Sequence, residues 1–275
     1  MHPILFHIGP LTIYTYGVLV ATGVMLTLWI ARRQAPRAGL DPVKVWNVGI
    51  YGILAALLGA KLWLIASEWD YYSHNPRQIF SSATLASGGT FYGGLAGAIL
   101  TLVLYAYFQK MPALPLMDTY AAAFPVGHAI GRLGCFAAGC CFGKPTSLPW
   151  GVTFTSPDAA RLSGTPLGTP LHPTQLYESG AEFLNFILLL WLGGRQRFKG
   201  QLTGAYMILY GIERGTIEFF RNDPDRTMLF HGAFSLMQIV SVGLILTGGF
   251  LWWRGLRGAA PITPVAPARA AAERS

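Results

Sequence analysis

Three long stretches of the chain carry no formal charge. Met1 to Ala31, Gln78 to Gln109 and Thr227 to Trp253 contain no Asp, Glu, Lys or Arg. A helix needs about 20 consecutive apolar residues to cross a bilayer core, so each window is long enough. A buried helix of a soluble protein is shorter and shows a polar face, and these windows do not. Charged residues form 12% of the chain, about half the share of an average soluble domain. These features impose an integral membrane protein. The N-terminus does not read as a cleavable signal, because it lacks a basic leading segment and its apolar run is too long.

Seven spans are expected in an all-α membrane fold, at about 11–31, 45–66, 88–109, 115–136, 173–193, 201–220 and 233–253. The basic residues set the orientation. With the N-terminus outside, the inner segments hold Arg32, Arg33, Arg37, Lys44, Lys110, Arg195, Arg197, Lys199, Arg254, Arg257, Arg269 and Arg274. The outer segments hold Arg77, Lys144, Arg161, Arg221 and Arg226. That bias of twelve to five follows the positive-inside rule. The net charge of +8 therefore reflects topology. No basic patch interleaved with aromatics appears on a soluble face, which argues against nucleic acid as a partner. Residues 137–172, rich in Gly, Pro, Ser and Thr, read as a small extracytoplasmic cap with short strands around Trp150–Phe154. Residues 1–258 form one transmembrane domain in this reading, and 259–275 a disordered cytoplasmic tail.

Charges inside spans are costly and mark sites. Arg132 lies near the outer end of the fourth span. Tyr210, Arg214 and Glu218 share one face of the sixth, and Glu178 and Glu182 one face of the fifth. Such arginines either pair with glutamates and stabilise a bundle, or present planar forks to a phosphate. Lys61 is a third cation of that set or snorkels to the interface. Gly89, Gly93 and Gly97 form a small-residue stripe. It either packs two helices closely or leaves room for a lipid headgroup beside Tyr92.

The chain's three cysteines fall together in "GRLGCFAAGCCFG", Gly131 to Gly143. Four readings stand. They bind zinc with His128 or His172, form a disulfide from Cys135 to Cys140 or Cys141, supply a nucleophile, or fill space. The C-x4-C-C spacing is unusual for zinc, so packing or a disulfide is preferred and no metal is expected. If the arginines hold a phosphate, Arg132 is the functional residue of the stretch, in an anion pocket whose glycines admit a headgroup.

These stretches, in order, resemble the prolipoprotein diacylglyceryl transferases, bacterial membrane enzymes. The resemblance runs from "HPILFHIGPLTIYTYGV" through "GGTFYGGLAG", "GRLGCFAAGCCFG", "HPTQLYE" and "YGIERGTIEFFRND" to "SLMQIVSV". In the family signature, approximately G-R-x-G-N-F-x-N-x-E-x-x-G, Gly131, Arg132, Gly134, Phe136 and Gly143 match. Cys135 and Ala138 replace its asparagines, Cys140 replaces its glutamate, and Tyr92 stands for a family histidine.

The resemblance implies transfer of the diacylglyceryl group of phosphatidylglycerol to the lipobox cysteine of prolipoproteins, the first step of lipoprotein maturation. It implies no cofactor, and a place in the bacterial plasma (inner) membrane. It assigns Arg132, Arg214, Tyr92 and Tyr210 to catalysis. It assigns Tyr16, Gly93, Gly94, Gly131, Gly134, Gly143, Tyr177 and Glu178 to binding of the phospholipid, a set to which the reading of charges inside spans adds Lys61. The departures leave two alternatives: a related transferase with another acceptor, or a phospholipid-binding protein without chemistry.

Overall fold

The computed structural model describes residues 2–9, 11–81, 84, 89–222, 228–229 and 234–258. The tail 259–275, with Arg269 and Arg274, lies outside the described residues, as does Arg226. A hairpin of β1 (Ile4–Ile8) and β2 (Leu11–Tyr14) leads into α1 (Thr15–Gln34). There follow α2 (Pro42–Ser67), α3 (Trp69–His74), α4 (Phe91–Phe108), α5 (Ala113–Ala121) and α6 (Phe124–Ala138). Residues 139–173 contain β3 (Val152–Thr153), α7 (Pro157–Ser163) and β4 (Pro170–Leu171), with β3 and β4 antiparallel. The chain continues as α8 (Thr174–Gly193), α9 (Gln201–Ile217), β5 (Met228–Leu229), β6 (Phe234–Ser235) and α10 (Leu236–Gly258).

The protein is mostly helical. Among the described residues, three helical segments are long and apolar enough to cross a membrane: Thr15–Ala38, Pro42–Ser67 and Leu236–Gly258. A shorter apolar helix covers Tyr92–Phe108. The first and last expected spans begin in strand, at Leu11 and Phe234, before their helices start. The fourth is broken into α5 and α6 around Ala122 and Ala123, just before Pro125 in the first turn of α6. Proline suits that position, because its missing N–H has no intrahelical partner there anyway.

Helix α8 is inverted relative to a soluble helix. Its buried face carries Thr174, Gln175, Glu178, Ser179, Glu182 and Asn185. Its exposed face carries Phe183, Leu184, Ile187, Leu188 and Trp191. Water would drive the opposite arrangement; hydrocarbon outside and polar partners inside explain this one.

The chain divides into two compact units, Arg32–Leu116 and the remainder. In the unit Arg32–Leu116, α2 and α4 meet through glycines. A Cβ on Gly93 would strike the Gly59 carbonyl and the Trp63 Cβ, and one on Gly97 the Ala55 carbonyl. A Cβ on Gly94 would lie 3.3 Å from the Ala56 oxygen. The glycine stripe is therefore a helix-packing device. In the same unit the Lys61 Nζ donates to the Thr84 carbonyl at 2.5 Å, and Tyr92 is half exposed near the start of α4.

In the other unit, α6 lies against α8, and α9 against both α8 and α10. Gly23 of α1 and Gly127 of α6 allow another close approach. A Cβ on Gly23 would come 2.6 Å from the Gly127 oxygen.

Candidate active site

His128 and Arg132 lie one turn apart on α6 and face Glu178 and Glu182, one turn apart on α8. Arg132 Nη2 pairs with Glu178 Oε1 at 2.7 Å. Arg132 Nε donates to His128 Nε2 at 3.2 Å. His128 Nδ1 lies 2.8 Å from Glu182 Oε1, and Tyr206 Oη donates to the same oxygen at 3.0 Å. These contacts fix one tautomer: the Nδ1 hydrogen goes to the carboxylate, and Nε2 keeps its lone pair. The Ser179 hydroxyl donates to the Ala129 carbonyl at 2.9 Å, which locks the α6–α8 register behind the network.

Helix α9 supplies the third wall. Its Tyr210 ring lies edge-on to His128, 5.6 Å between centroids, and stacks on Tyr206 at 5.8 Å. Arg214, one turn beyond Tyr210, is buried and pairs through Nη1 with Glu218 Oε2 at 2.5 Å. The Arg132 and Arg214 guanidiniums both lie within electrostatic reach of the Tyr210 hydroxyl. Two positive forks, each paired with a glutamate, thus act on one phenol. The arrangement is suited to an anion carrying several acceptor oxygens.

Tyr16, at the start of α1, is half exposed and reaches the same region. A Cβ on Gly134 would come within 3.2 Å of its ring, and Arg132 is close enough to act on its hydroxyl. Tyr177 turns elsewhere. Its hydroxyl accepts from Trp150 Nε1 at 2.9 Å and meets His172 Nδ1 at 3.1 Å. With Trp150, His172, Glu213 and Phe220 it lines a separate cavity of about 580 Å³. Tyr92, Gly93, Gly94 and Lys61 belong to the unit Arg32–Leu116.

The signature glycines have three different environments. Around Gly131 no atom lies within 4 Å of a Cβ position, so its surface is open. Gly134 is covered by Tyr16. At Gly143 a Cβ would sit 2.6 Å from the His172 Cβ and 2.7 Å from the Phe220 oxygen. There the chain runs in strand-like contact with two neighbours: Gly143 N–H donates to His172 O at 3.0 Å, and Lys144 N–H to Phe220 O at 2.7 Å.

All three cysteines are free, so the disulfide considered from the sequence is not formed. Thiol hydrogen bonds from Cys135 and Cys140, together with Arg221 and Arg132, pull the Cys141 thiol below the usual thiol range. The thiol contacts to Cys135 and Cys141, with burial, push Cys140 up.

A family model described as prolipoprotein diacylglyceryl transferase matches residues 3–254. The chain belongs to the prolipoprotein diacylglyceryl transferase family. Proteins named phosphatidylglycerol–prolipoprotein diacylglyceryl transferase are similar to it along most of their length. One from Clostridium tetani is 32% identical, covering 92% of this chain and 97% of its own. One from Finegoldia magna is 34% identical, covering 91% and 94%. A Clostridium perfringens protein, the transferase numbered 2, is 32% identical, covering 91% and 94%.

For a diacylglyceryl transferase, four polar residues escaped the sequence reading: the buried Asn185 and Glu213 and the partly buried Tyr206 near this site, and the buried Asp118 outside it. Asn185 Nδ2 donates to Glu213 Oε2 at 2.7 Å. Three of the four, Asp118, Asn185 and Glu213, are carboxylates or amides within apolar runs, which was the available signal.

The packing at Gly143 makes a prediction. Gly143→Ala is expected to destabilise the detergent-purified transferase by about 1–3 kcal/mol, because backbone atoms block the new methyl group. Gly131→Ala, with open space around it, is expected to leave the unfolding temperature equal or slightly higher, since alanine favours helix. Thermal unfolding followed by intrinsic fluorescence compares the two; equal midpoints would refute the packing role of Gly143.

Proposed function

We infer that this protein transfers the diacylglyceryl group of phosphatidylglycerol to the lipobox cysteine thiol of prolipoproteins. A C–S bond forms at the glycerol carbon of the lipid and the C–O bond to phosphate breaks. Glycerol phosphate departs and the thiol proton passes to a base. The observation that carries this reading is the pair of arginines, Arg132 and Arg214, each held by a buried glutamate and both acting on Tyr210.

Arg132 and Arg214 hold the phosphate and stabilise the charge it gains on leaving. Tyr210 and Tyr16 orient it, Glu178 positions Arg132, and Gly131 leaves surface for close approach. His128 is the base in this proposal. Glu182 fixes its tautomer, and its Nε2 is freed when Arg132 turns toward phosphate. A phenol, which Tyr92 places at the family histidine's position, is a poorer base near neutrality than an imidazole.

The topology belongs to the same proposal. Residues 1–258 make one domain of seven spans in the bacterial inner membrane, with the N-terminus outside, the C-terminus inside and 137–172 as an outer cap. The twelve-to-five bias of basic residues supports the orientation. The family match across 3–254 supports a single domain.

The test is complementation. A strain depleted of its own transferase, carrying this gene and a palmitate-labelled reporter lipoprotein, is expected to recover labelling. A well-expressed protein that restores none would overturn the assignment to prolipoproteins and leave the reading with another acceptor.

A further inference from the structure

We propose that Cys135, Cys140 and Cys141 form a three-thiolate site for a soft monovalent metal ion, copper(I). The three sulfurs lie within 4.8 Å of one another, at the junction of α6 and the segment that follows it. A metal with bonds to sulfur of about 2.3 Å holds three sulfurs about 4 Å apart in a plane. The thiols therefore need to close by less than about 1 Å to reach that geometry.

The turn that gathers them is built for it. Gly139 ends α6 in the left-handed conformation, at φ 83°, and its N–H donates to the Cys135 carbonyl at 2.9 Å. Cys141 also takes a left-handed backbone, at φ 61°. For a residue with a Cβ this conformation is strained and persists only where its surroundings over-determine it. Two buried side chains at the start of α8 do so. Gln175 Nε2 donates to the Cys140 carbonyl at 2.6 Å, and Thr174 Oγ1 to the Cys141 carbonyl at 2.7 Å.

The donor set selects the ion. Among the described residues no His, Asp or Glu joins the three sulfurs at that range. Structural zinc takes four protein ligands. Three soft thiolates without a fourth donor suit copper(I) in trigonal coordination. A disulfide is a weaker fit. Adjacent residues have Cα atoms about 3.8 Å apart, below the roughly 4.4 Å that disulfides need. This disfavours Cys140–Cys141, and a bond from Cys135 to either leaves an odd thiol. A cavity of about 330 Å³, lined by Cys140 with Tyr14, Tyr16 and Ser163, gives an entry path. Binding releases the thiol protons as three copper–sulfur bonds form.

The test uses the full-length protein in detergent, purified anaerobically and reduced with a phosphine. It is titrated with copper(I) against the chromogenic chelator bicinchoninate. Wild type is expected to retain one equivalent, with a thiolate-to-copper charge-transfer band and three sulfurs by X-ray absorption. Each of Cys135→Ser, Cys140→Ser and Cys141→Ser is expected to weaken retention at least about tenfold. Complete loss of copper from wild type to the chelator would overturn the proposal whatever the variants do. So would equal retention by the triple serine variant, checked as monodisperse. Retention of zinc but not copper(I) in a parallel zinc-chelator titration would also overturn it.

Discussion

Arg132→Ala is expected to lower diacylglyceryl transfer by at least about a hundredfold, the loss that follows removal of one preorganised donor to a developing oxyanion. Arg132→Lys is expected to recover little of it. Arg132 uses two faces of its fork at once, Nη2 on Glu178 and Nε on His128, and an ammonium cannot reproduce that planar geometry. Removing the guanidinium also strands Glu178, which is 1% exposed, and a stranded buried carboxylate costs stability by itself. The comparison that separates these effects is Glu178→Gln, which removes the charge and keeps the shape. It is expected to leave folding near wild type and to reduce transfer less than Arg132→Ala, since Glu178 positions the arginine rather than touching the lipid. The measurement is transfer of labelled diacylglyceryl from phosphatidylglycerol vesicles to a lipobox peptide, with folded protein quantified by size exclusion. Near wild-type transfer by folded Arg132→Ala protein would remove Arg132 from the phosphate site.

Much of this architecture is written in where charge is missing. The charge-free windows contain α1, α4 and α10 almost whole, because hydrocarbon tolerates few charges and helices satisfy their own backbone. The breaks were less legible. Hydropathy does not distinguish Leu11–Tyr14 in a hairpin from the same residues in a helix, since both bury backbone polar groups. The α5–α6 break lies within one apolar run, where Pro125 was its only mark. The site was legible as residue types and periodicity: Glu178 with Glu182, and Tyr210 with Arg214, share faces at spacing four. Their partners across helices were not. Which carboxylate meets Arg132 depends on how α6 and α8 are rotated, and close packing rather than periodicity sets that rotation. The cysteines show the same limit. Their spacing argued against a metal, while a left-handed residue at Cys141, invisible in the sequence, brings the three sulfurs together.

Asp118→Ala is expected to destabilise the protein by about 4 kcal/mol, although Asp118 lies on α5 and outside the ion-pair network around Arg132. Helix α9 begins at Gln201 after Gly200, with no side-chain cap of its own. Its first N–H groups have no intrahelical acceptor, and in this interior few waters replace one. The buried Asp118 carboxylate supplies the acceptors. Oδ2 takes Gly200 N–H and Gln196 Nε2, each at 2.6 Å. Oδ1 takes Thr203 N–H at 2.9 Å and Thr203 Oγ1 at 2.8 Å. Its negative charge also faces the positive end of the α9 dipole. Truncation leaves four donors without that acceptor, at about 1–3 kcal/mol for each one that stays buried and unmet. Local relaxation keeps the total near the lower end of that sum. Asp118→Asn retains one acceptor oxygen but turns an NH2 toward two donors, so an intermediate loss is expected. The consequence reaches the site because α9 carries Tyr210 and Arg214. A loosened first turn lets the helix shift along its axis, and transfer should fall more steeply with temperature in Asp118→Ala than in wild type. Thermal unfolding in detergent with transfer rates across temperature checks both parts. An unfolding midpoint within about 2 °C of wild type would mean that water or a neighbouring side chain caps α9 in place of Asp118.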